Sequence, residues 1–261
     1  DFKKNLKNRK PEKATCITFD DGLLSQYKIA KPVLDSLNIK AFFFVYSAIW
    51  DENFETPLLE FFRDFRHNFK GGIENYYKSF FIEASNILNK NSNDISVPKD
   101  YLIDCPFYTY NDKKYRFFRD FILTPIQYIN TVKKMLDLYK YSLVENRERL
   151  FMSLNNLLDL VSQGHDIGLH SNTHPTDMNR LKNQEIDQEY NFCYSFLEKN
   201  LKIKPTSISY PCGIFNSQTQ KTAKKLNLEV GFAASLTQYP FKKLNPLLLP
   251  REDHINILKS I

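Results

Sequence analysis

A strand–helix–strand pattern that begins near the N-terminus, stops, and resumes far downstream constrains this chain more than any other feature. Ala14 to Phe19 is a compact apolar run ending in acids and glycine. It reads as a buried strand whose C-terminal end carries function. In Ser25 to Leu37 the apolar residues Tyr27, Ile29, Ala30, Val33, Leu34 and Leu37 recur at helical spacing, and Pro32 marks a kink or a later helix start. Ile39 to Tyr46 is too short for a typical helix and rich in aromatics, so it reads as a second buried strand. Strand, helix and strand within about 30 residues make a βαβ unit with a parallel sheet.

The pattern resumes at Ser153. Ser153–Gln163 reads as a helix with Gly164 past its end, His165–His170 as a strand, and Asn183–Asn200 as a helix with Ile186, Tyr190, Cys193 and Leu197 on one face. Thr206–Tyr210 reads as a strand, Ser217–Leu226 as a helix, Glu229–Ala234 as a strand, and Leu247–Leu249 as a short last one. Polar residues cluster after the strand ends, as in an α/β barrel or a doubly wound sheet.

Between the two halves, residues 51–150 lack strand alternation and carry helical runs at Pro57–Phe69, Ile73–Asn89 and Pro125–Tyr141. This stretch reads as a mostly helical insertion into a single catalytic domain of residues 1–261, because it interrupts an unfinished α/β pattern. Pro98, Pro106 and Tyr101–Tyr115 read as an irregular loop within it, suited to a lid or a specificity wall. Residues 1–13 are lysine-rich and polar and are expected to form a frayed leader.

A net charge of +6 comes from scattered lysines with little arginine and no repeated aromatic interleaving, so a solvated surface is expected and not a nucleic-acid footprint. A mild preference for an anionic substrate such as a sugar nucleotide stays open. Cys16, Cys105, Cys193 and Cys212 show no regular spacing, which argues against a disulfide framework or a cysteine zinc site. Cys16 and Cys193 lie on apolar faces and read as small buried hydrophobes. No stretch of about 18 apolar residues is present, so no transmembrane segment is expected. No secretory signal is present, and a cytoplasmic location is the default expectation. The oligomeric state is left open.

Two short motifs carry chemistry. Thr18-Phe19-Asp20-Asp21-Gly22 ends the first strand, and His170-Ser171-Asn172-Thr173-His174 follows a later one. One carboxylate and two imidazoles make a three-ligand, open-sided site for a hydrolytic metal such as zinc. Adjacent carboxylates raise each other's pKa, and a divalent cation on Asp21 would offset that repulsion and keep Asp20 ionised as a base. Neighbouring residues on an extended strand face opposite ways, so Gly22 and a turn are needed to bring both carboxylates to one place. Read alone, Asp-Asp-Gly is equally a turn capping the next helix, and two histidines four residues apart are equally ordinary loop residues. Pro175 disfavours a helix at His174, and a tight turn leaving the strand serves as well. His165 is expected to hydrogen-bond locally, and His67 has no partner motif.

These residues resemble a known family. Thr18–Gly22, Gly164–Pro175 and Tyr210-Pro211-Cys212-Gly213 look like the first three motifs of the polysaccharide deacetylases, the NodB-homology enzymes or carbohydrate esterase family four. Lys40–Val45 resembles the family's second strand, and the resemblance covers roughly residues 14–50 and 151–253. It implies a distorted, incomplete (β/α) barrel, usually counted as seven-stranded, with a large helical insertion between strands 2 and 3. It implies Asp21, His170 and His174 as ligands of a divalent metal, commonly zinc, and Asp20 as general base. The oxyanion would be held by the metal and a backbone N–H of Tyr210-Pro211-Cys212-Gly213, that of Cys212 in particular. Where many members carry arginine at the start of the third motif, this chain has Ser209. Arg251, in Leu249-Pro250-Arg251, resembles the Leu-Pro-Arg ending of other members, with a role in orienting Asp20 or binding substrate. His254 is the histidine left for the general acid, although Asp253-His254-Ile255 does not match the family's Leu-x-His setting.

The activity expected from this resemblance is metal-dependent removal of an N-acyl group, acetyl first, from an amino sugar, either small or nucleotide-linked, in surface-polysaccharide synthesis. An extracytoplasmic glycan deacetylase, a related deformylase, amidase or esterase, and a catalytically inactive carbohydrate-binding homologue are the alternatives. The intact base and ligand set weigh against the last.

Overall fold

Five short parallel strands carry the site: β1 (Thr18–Phe19), β2 (Phe42–Val45), β3 (Asp166–Leu169), β4 (Ser207–Ser209) and β5 (Val230–Phe232). They pair in the order β1-β2-β3-β4-β5 and curl into a half-barrel, as expected for an incomplete (β/α) barrel. The computed structural model describes residues 2–7, 15–51, 59–103, 107–233 and 245–253. The chain divides into two compact units, residues 1–54 with 148–261, and residues 55–147.

Each expected strand is present in the first unit, but shorter than its apolar run. The last one, Leu247–Leu249, is reduced to a parallel bridge between Leu249 and Phe232. Leu249 still exchanges hydrogen bonds with the β5 side, its N–H donating to Gly231 O at 2.7 Å and its carbonyl accepting from Ala233 N at 2.9 Å.

Alternation along β2 separates two cores. Phe43 and Val45 pack with Ile167, Leu169 and Ile208 against helices, contributed by Leu157 and Leu160 of Leu154–Ser162 and by Ile186, Tyr190, Cys193 and Leu197 of Asn183–Leu201. Phe42 and Phe44 turn the other way, onto Val230, Phe232 and Leu249. Successive side chains of a strand face opposite sides, so a sheet covered on both faces reads as an unbroken apolar run, which is why Phe42-Phe43-Phe44-Val45 is wholly buried. Pro32 sits in the first turn of Lys31–Ser36, directly after a π-helical turn, Gln26–Ala30, so the expected single helix is two pieces meeting at the proline.

One expectation is overturned at the N-terminus. Phe2–Lys7 is a helix and not a frayed leader. Its Phe2 ring lies 5.9 Å from Phe42 and 6.1 Å from Phe232, and the Lys3 ammonium contacts Asp166 and Thr206. Aromatic burial and a charge pair outweigh the lysine-rich composition that suggested disorder. Residues 8–14 lie outside the described residues.

The second unit contains the helices Leu59–His67, Ile73–Leu88, Tyr110–Phe117 and Pro125–Leu138. They enclose an aromatic core that includes Phe62, Phe65, Tyr76, Phe80, Tyr115 and Phe118. Tyr110–Phe117 corrects the last part of the irregular loop expected over 101–115, while residues 101–103 and 107–109 form no helix or strand. The Thr109 hydroxyl accepts from Asp112 N at 3.2 Å while Asp112 accepts from Thr109 N at 3.1 Å, a capping box that starts a helix. Tyr115 is then buried, with its hydroxyl 2.7 Å from that of Tyr128.

Gly168, in the middle of β3, has no room for a side chain. An added Cβ would lie 2.3 Å from Ser207 Oγ and 2.5 Å from a Phe44 ring carbon. Gly168→Ala is expected to destabilise the protein by about 1–3 kcal/mol through overpacking, read as a lowered midpoint in thermal or denaturant unfolding.

Candidate metal centre and its neighbouring carboxylate

The candidate site gathers at the C-terminal ends of β1, β3 and β4. Past β1 the chain turns at once, with Asp21 at φ 75° and Gly22 at φ 65°. Two successive left-handed residues break the strand's alternation and bring the carboxylates of Asp20 and Asp21 to the same place. The turn is held by Met152 N–H donating to Gly22 O at 2.9 Å and by the Gln26 side chain donating to Asp20 O.

His170 leaves β3 with its N–H on Val45 O at 2.9 Å. Its ring Nδ1 lies 2.8 Å from Ser209 O. A carbonyl only accepts, so Nδ1 carries the hydrogen, and in the neutral ring Nε2 presents a lone pair. That nitrogen lies 3.4 Å from Asp21 Oδ1, and His174 Nε2 lies 3.3 Å from the same oxygen. The loop between the histidines is not helical, with Ser171 at φ 68° and His174 at φ 55°. His174 N–H donates to Ser171 Oγ at 3.0 Å, and its buried Nδ1 has no hydrogen-bond partner among the described residues.

The three donor atoms fit a metal ion. Each of Asp21, His170 and His174 offers one atom, all within 4.8 Å of one another, and both histidines are buried. Ligands about 2.0–2.1 Å from a tetrahedral ion stand about 3.3–3.4 Å apart, which matches the two separations above. The electrostatics agree. Burial alone would raise the Asp21 pKa, yet the two imidazoles outweigh it and hold the carboxyl well below its usual range. Burial pulls His170 down, but Asp20 and Asp21 more than offset it and push the imidazole up. The cluster therefore favours positive charge between its donors, supplied by a proton or by a cation.

Asp20 faces a different partner. Arg251 Nη1 and Nη2 donate to its two oxygens, each at 2.8 Å, the parallel fork that a guanidinium makes with a carboxylate. The same guanidinium donates to Ser209 Oγ at 3.0 Å, Thr18 Oγ1 at 3.3 Å and, through Nε, Ala233 O at 2.8 Å. Ser209 Oγ also donates to Asp20 Oδ2 at 3.2 Å. Burial would raise Asp20, but His170 and the hydrogen-bonded Arg251 hold it below its ordinary value, so it stays a carboxylate. Arg251 is thus in direct two-point contact with Asp20.

The third motif forms the turn after β4. Tyr210 is fully buried and its hydroxyl donates to Leu247 O at 2.9 Å, so that side chain is committed to the core. Pro211 is buried, while Cys212 is exposed in a left-handed conformation at φ 53° with Gly213 at φ 69°. Gly213 N–H is taken by Tyr210 O at 2.8 Å. His254 lies outside the described residues. His165 accepts from Ala41 N at 3.2 Å, across the strand pair and not locally. Cys193 is buried and its thiol is pushed up to about 12 by burial, whereas Cys16 is only half-buried. Glu189, whose carboxylate holds the histidine loop, makes contacts that no sequence motif marks. The one available signal for Glu189 is an acid beside Tyr190 on a helix's buried flank.

Known proteins share this arrangement of strands. Residues 144–231 match the family model "Polysaccharide deacetylase". That match spans about a third of the chain and takes in β3, β4 and the two histidines. Two solved structures share its fold. The Streptococcus pyogenes deacetylase PplD in complex with acetate is 16% identical at a TM-score of 0.53, with 95% of this chain and 69% of that one covered. A de-N-acetylase from Aggregatibacter actinomycetemcomitans is 14% identical at 0.52, with 99% and 79% covered. No curated protein sequence is significantly similar. Within the described residues, no helix is long and apolar enough to cross a membrane.

Arg251→Lys keeps the charge and loses the fork. It is expected to cost about 1–3 kcal/mol in denaturant unfolding. Adding Asp20→Asn to the Arg251→Lys variant is expected to cost little more, since both changes break the same pair.

Proposed function

We propose that this chain is a metal-dependent hydrolase that removes an N-acetyl group from an amino sugar. The observation that carries the proposal is the pairing, at one end of the sheet, of a three-donor cluster (Asp21, His170, His174) with a separate carboxylate, Asp20, kept ionised by Arg251. A divalent cation, zinc by this set of one oxygen and two nitrogen donors, would supply Lewis acidity toward the acyl carbonyl and toward water.

The protein's own groups then divide the remaining work. Asp20 accepts the proton of the attacking water. Arg251 and Ser209 fix the direction of its lone pairs, and Arg251 prevents it from taking a proton in advance. We assign the Cys212 N–H to the oxyanion, with the exposed thiol as a wall and not a nucleophile. The leaving amine needs a proton, and His254 is our assignment for that donor. Water and the amide are consumed, and acetate and a free amine are formed. We further read the substrate as small or nucleotide-linked. The support for this is the net charge of +6, which favours an anionic sugar.

The test is acetate release from a panel of N-acetylated nucleotide sugars, free amino sugars and chitooligosaccharides, with and without chelator. Release abolished by chelator and restored by zinc is expected; no release from any member refutes the proposal, and release from the oligomers alone refutes the substrate class. Asp20→Asn is expected to lower turnover by about 10²–10⁴-fold while metal content, measured by elemental analysis, stays at one per chain. His170→Ala with His174→Ala is expected to lose the metal altogether.

A further inference from the structure

We propose that Glu189 is a positioning residue for the cation site, placing His174 by holding the loop between the two histidines. The proposal rests on the metal-site reading above and adds a residue that the motifs do not contain.

The two imidazoles are oriented by different means. A metal-binding histidine ordinarily has its ring turned and its tautomer set by a hydrogen bond from its other nitrogen. His170 has that bond, to Ser209 O at 2.8 Å. His174 does not, because its Nδ1 is buried without a partner among the described residues, with the Tyr46 ring packed 5.4 Å from its own. The position of His174 therefore depends on the path of its own backbone.

That path is an unfavourable one. Ser171 and His174 both adopt the left-handed region, at φ 68° and 55°, where a β-carbon crowds the backbone. Such a conformation persists where the surroundings hold it on more than one side. On one side, Ser47 N and Ala48 N donate to the carbonyls of Ser171 and Asn172 at 3.4 and 2.9 Å. On the other side stands the Glu189 side chain. Glu189 Oε2 accepts the backbone N–H groups of Asn172 and Thr173 at 2.9 and 2.8 Å, and Oε1 accepts the Thr173 hydroxyl at 2.8 Å. Glu189 is itself fixed, because Ile186 and Tyr190 on the same helix are completely buried. Rigidity thus passes from the core, through one carboxylate, to the loop that aims His174 at Asp21.

The experiment compares wild type, Glu189→Ala, Glu189→Gln and Thr173→Val as full-length chains. Each is titrated with zinc against a chromophoric chelator, its cobalt(II) absorption spectrum is recorded, and the metal-free protein is melted. Glu189→Ala is expected to weaken zinc binding about 10–100-fold and to alter the cobalt band, the usual scale of an outer-shell loss. Glu189→Gln is expected to stay within about threefold of wild type, since an amide oxygen still accepts both N–H groups. Thr173→Val, which loses one bond of three, is expected to fall between them. Zinc affinity and cobalt spectrum unchanged in Glu189→Ala would overturn the proposal, as would a Gln variant as weak as the Ala variant. If Glu189→Ala does not fold, the other two decide: Thr173→Val at wild-type affinity overturns it, and a loss there with Gln retained supports it. Zinc binding that survives His170→Ala with His174→Ala would instead overturn the metal-site reading, leaving the two failures distinct.

Discussion

The guanidinium of Arg251 joins parts of the structure that lie at opposite ends of the strand order. Its Nε reaches Ala233 O just past β5, while its Nη atoms reach Thr18 on β1 and Asp20 just past it. β1 and β5 are the outer members of that order, so one side chain spans the seam of an open half-barrel. The backbone of Leu249 pairs alongside β5, and two residues further on the planar five-donor fork of Arg251 reaches back to β1. Lysine has the charge but not the geometry for this. The consequence for the site is direct, since the same contacts that draw the edges together also fix the plane of Asp20.

Part of the backbone strain lies around the same place. Asp21, Ser171, His174 and Cys212 all carry side chains in the left-handed region, and they follow β1, β3 and β4. Each such residue costs on the order of 1–3 kcal/mol. A chain selected for stability alone would place glycine or asparagine there. The compensating contacts are local and specific: Ser171 Oγ on His174 N, Glu189 on the loop amides, and the third-motif turn closed by Gly213 N on Tyr210 O. Strain bordered by dedicated hydrogen bonds turns several side chains inward from strand ends that would otherwise scatter them.

Much of this was legible in the sequence, for reasons that can be stated. Buried parallel strands are apolar runs, so the strands at Thr18–Phe19, Phe42–Val45 and Asp166–Leu169 stood out, and the two motifs at the ends of the first and third followed. The helix end at Gly164 was readable because its signal lies beside the last helical residues, and Gly164 stands there at φ 84°. The helix at Tyr110 escaped because aromatic composition masked an equally local cap at Thr109. The helix at Phe2 escaped for another reason, since its order comes from rings of β2 and β5 far along the chain. Arg251 and Asp20 are likewise 231 residues apart, and only the curl of the sheet makes them neighbours. Glu189 has no sequence motif, because its partners are backbone amides.

The two adjacent aspartates end with opposite environments although their chemistry is identical. Asp20 is bound to a permanent cation, which is already in place and cannot be exchanged, so its carboxylate is fixed in direction and held ionised. Asp21 is flanked by two imidazoles, which outweigh burial and hold its carboxyl well below the usual range without the fixed charge of a guanidinium. A permanent countercharge suits the role proposed for Asp20, a base that must remain available to take a proton, and a pair of imidazoles suits the role proposed for Asp21, a ligand beside further nitrogen donors. Exchanging the two surroundings would leave the proposed base facing the cluster and the proposed ligand locked to arginine. The order of the pair along the chain is therefore imposed by the seam on one side and the histidine loop on the other, and not by the dipeptide itself.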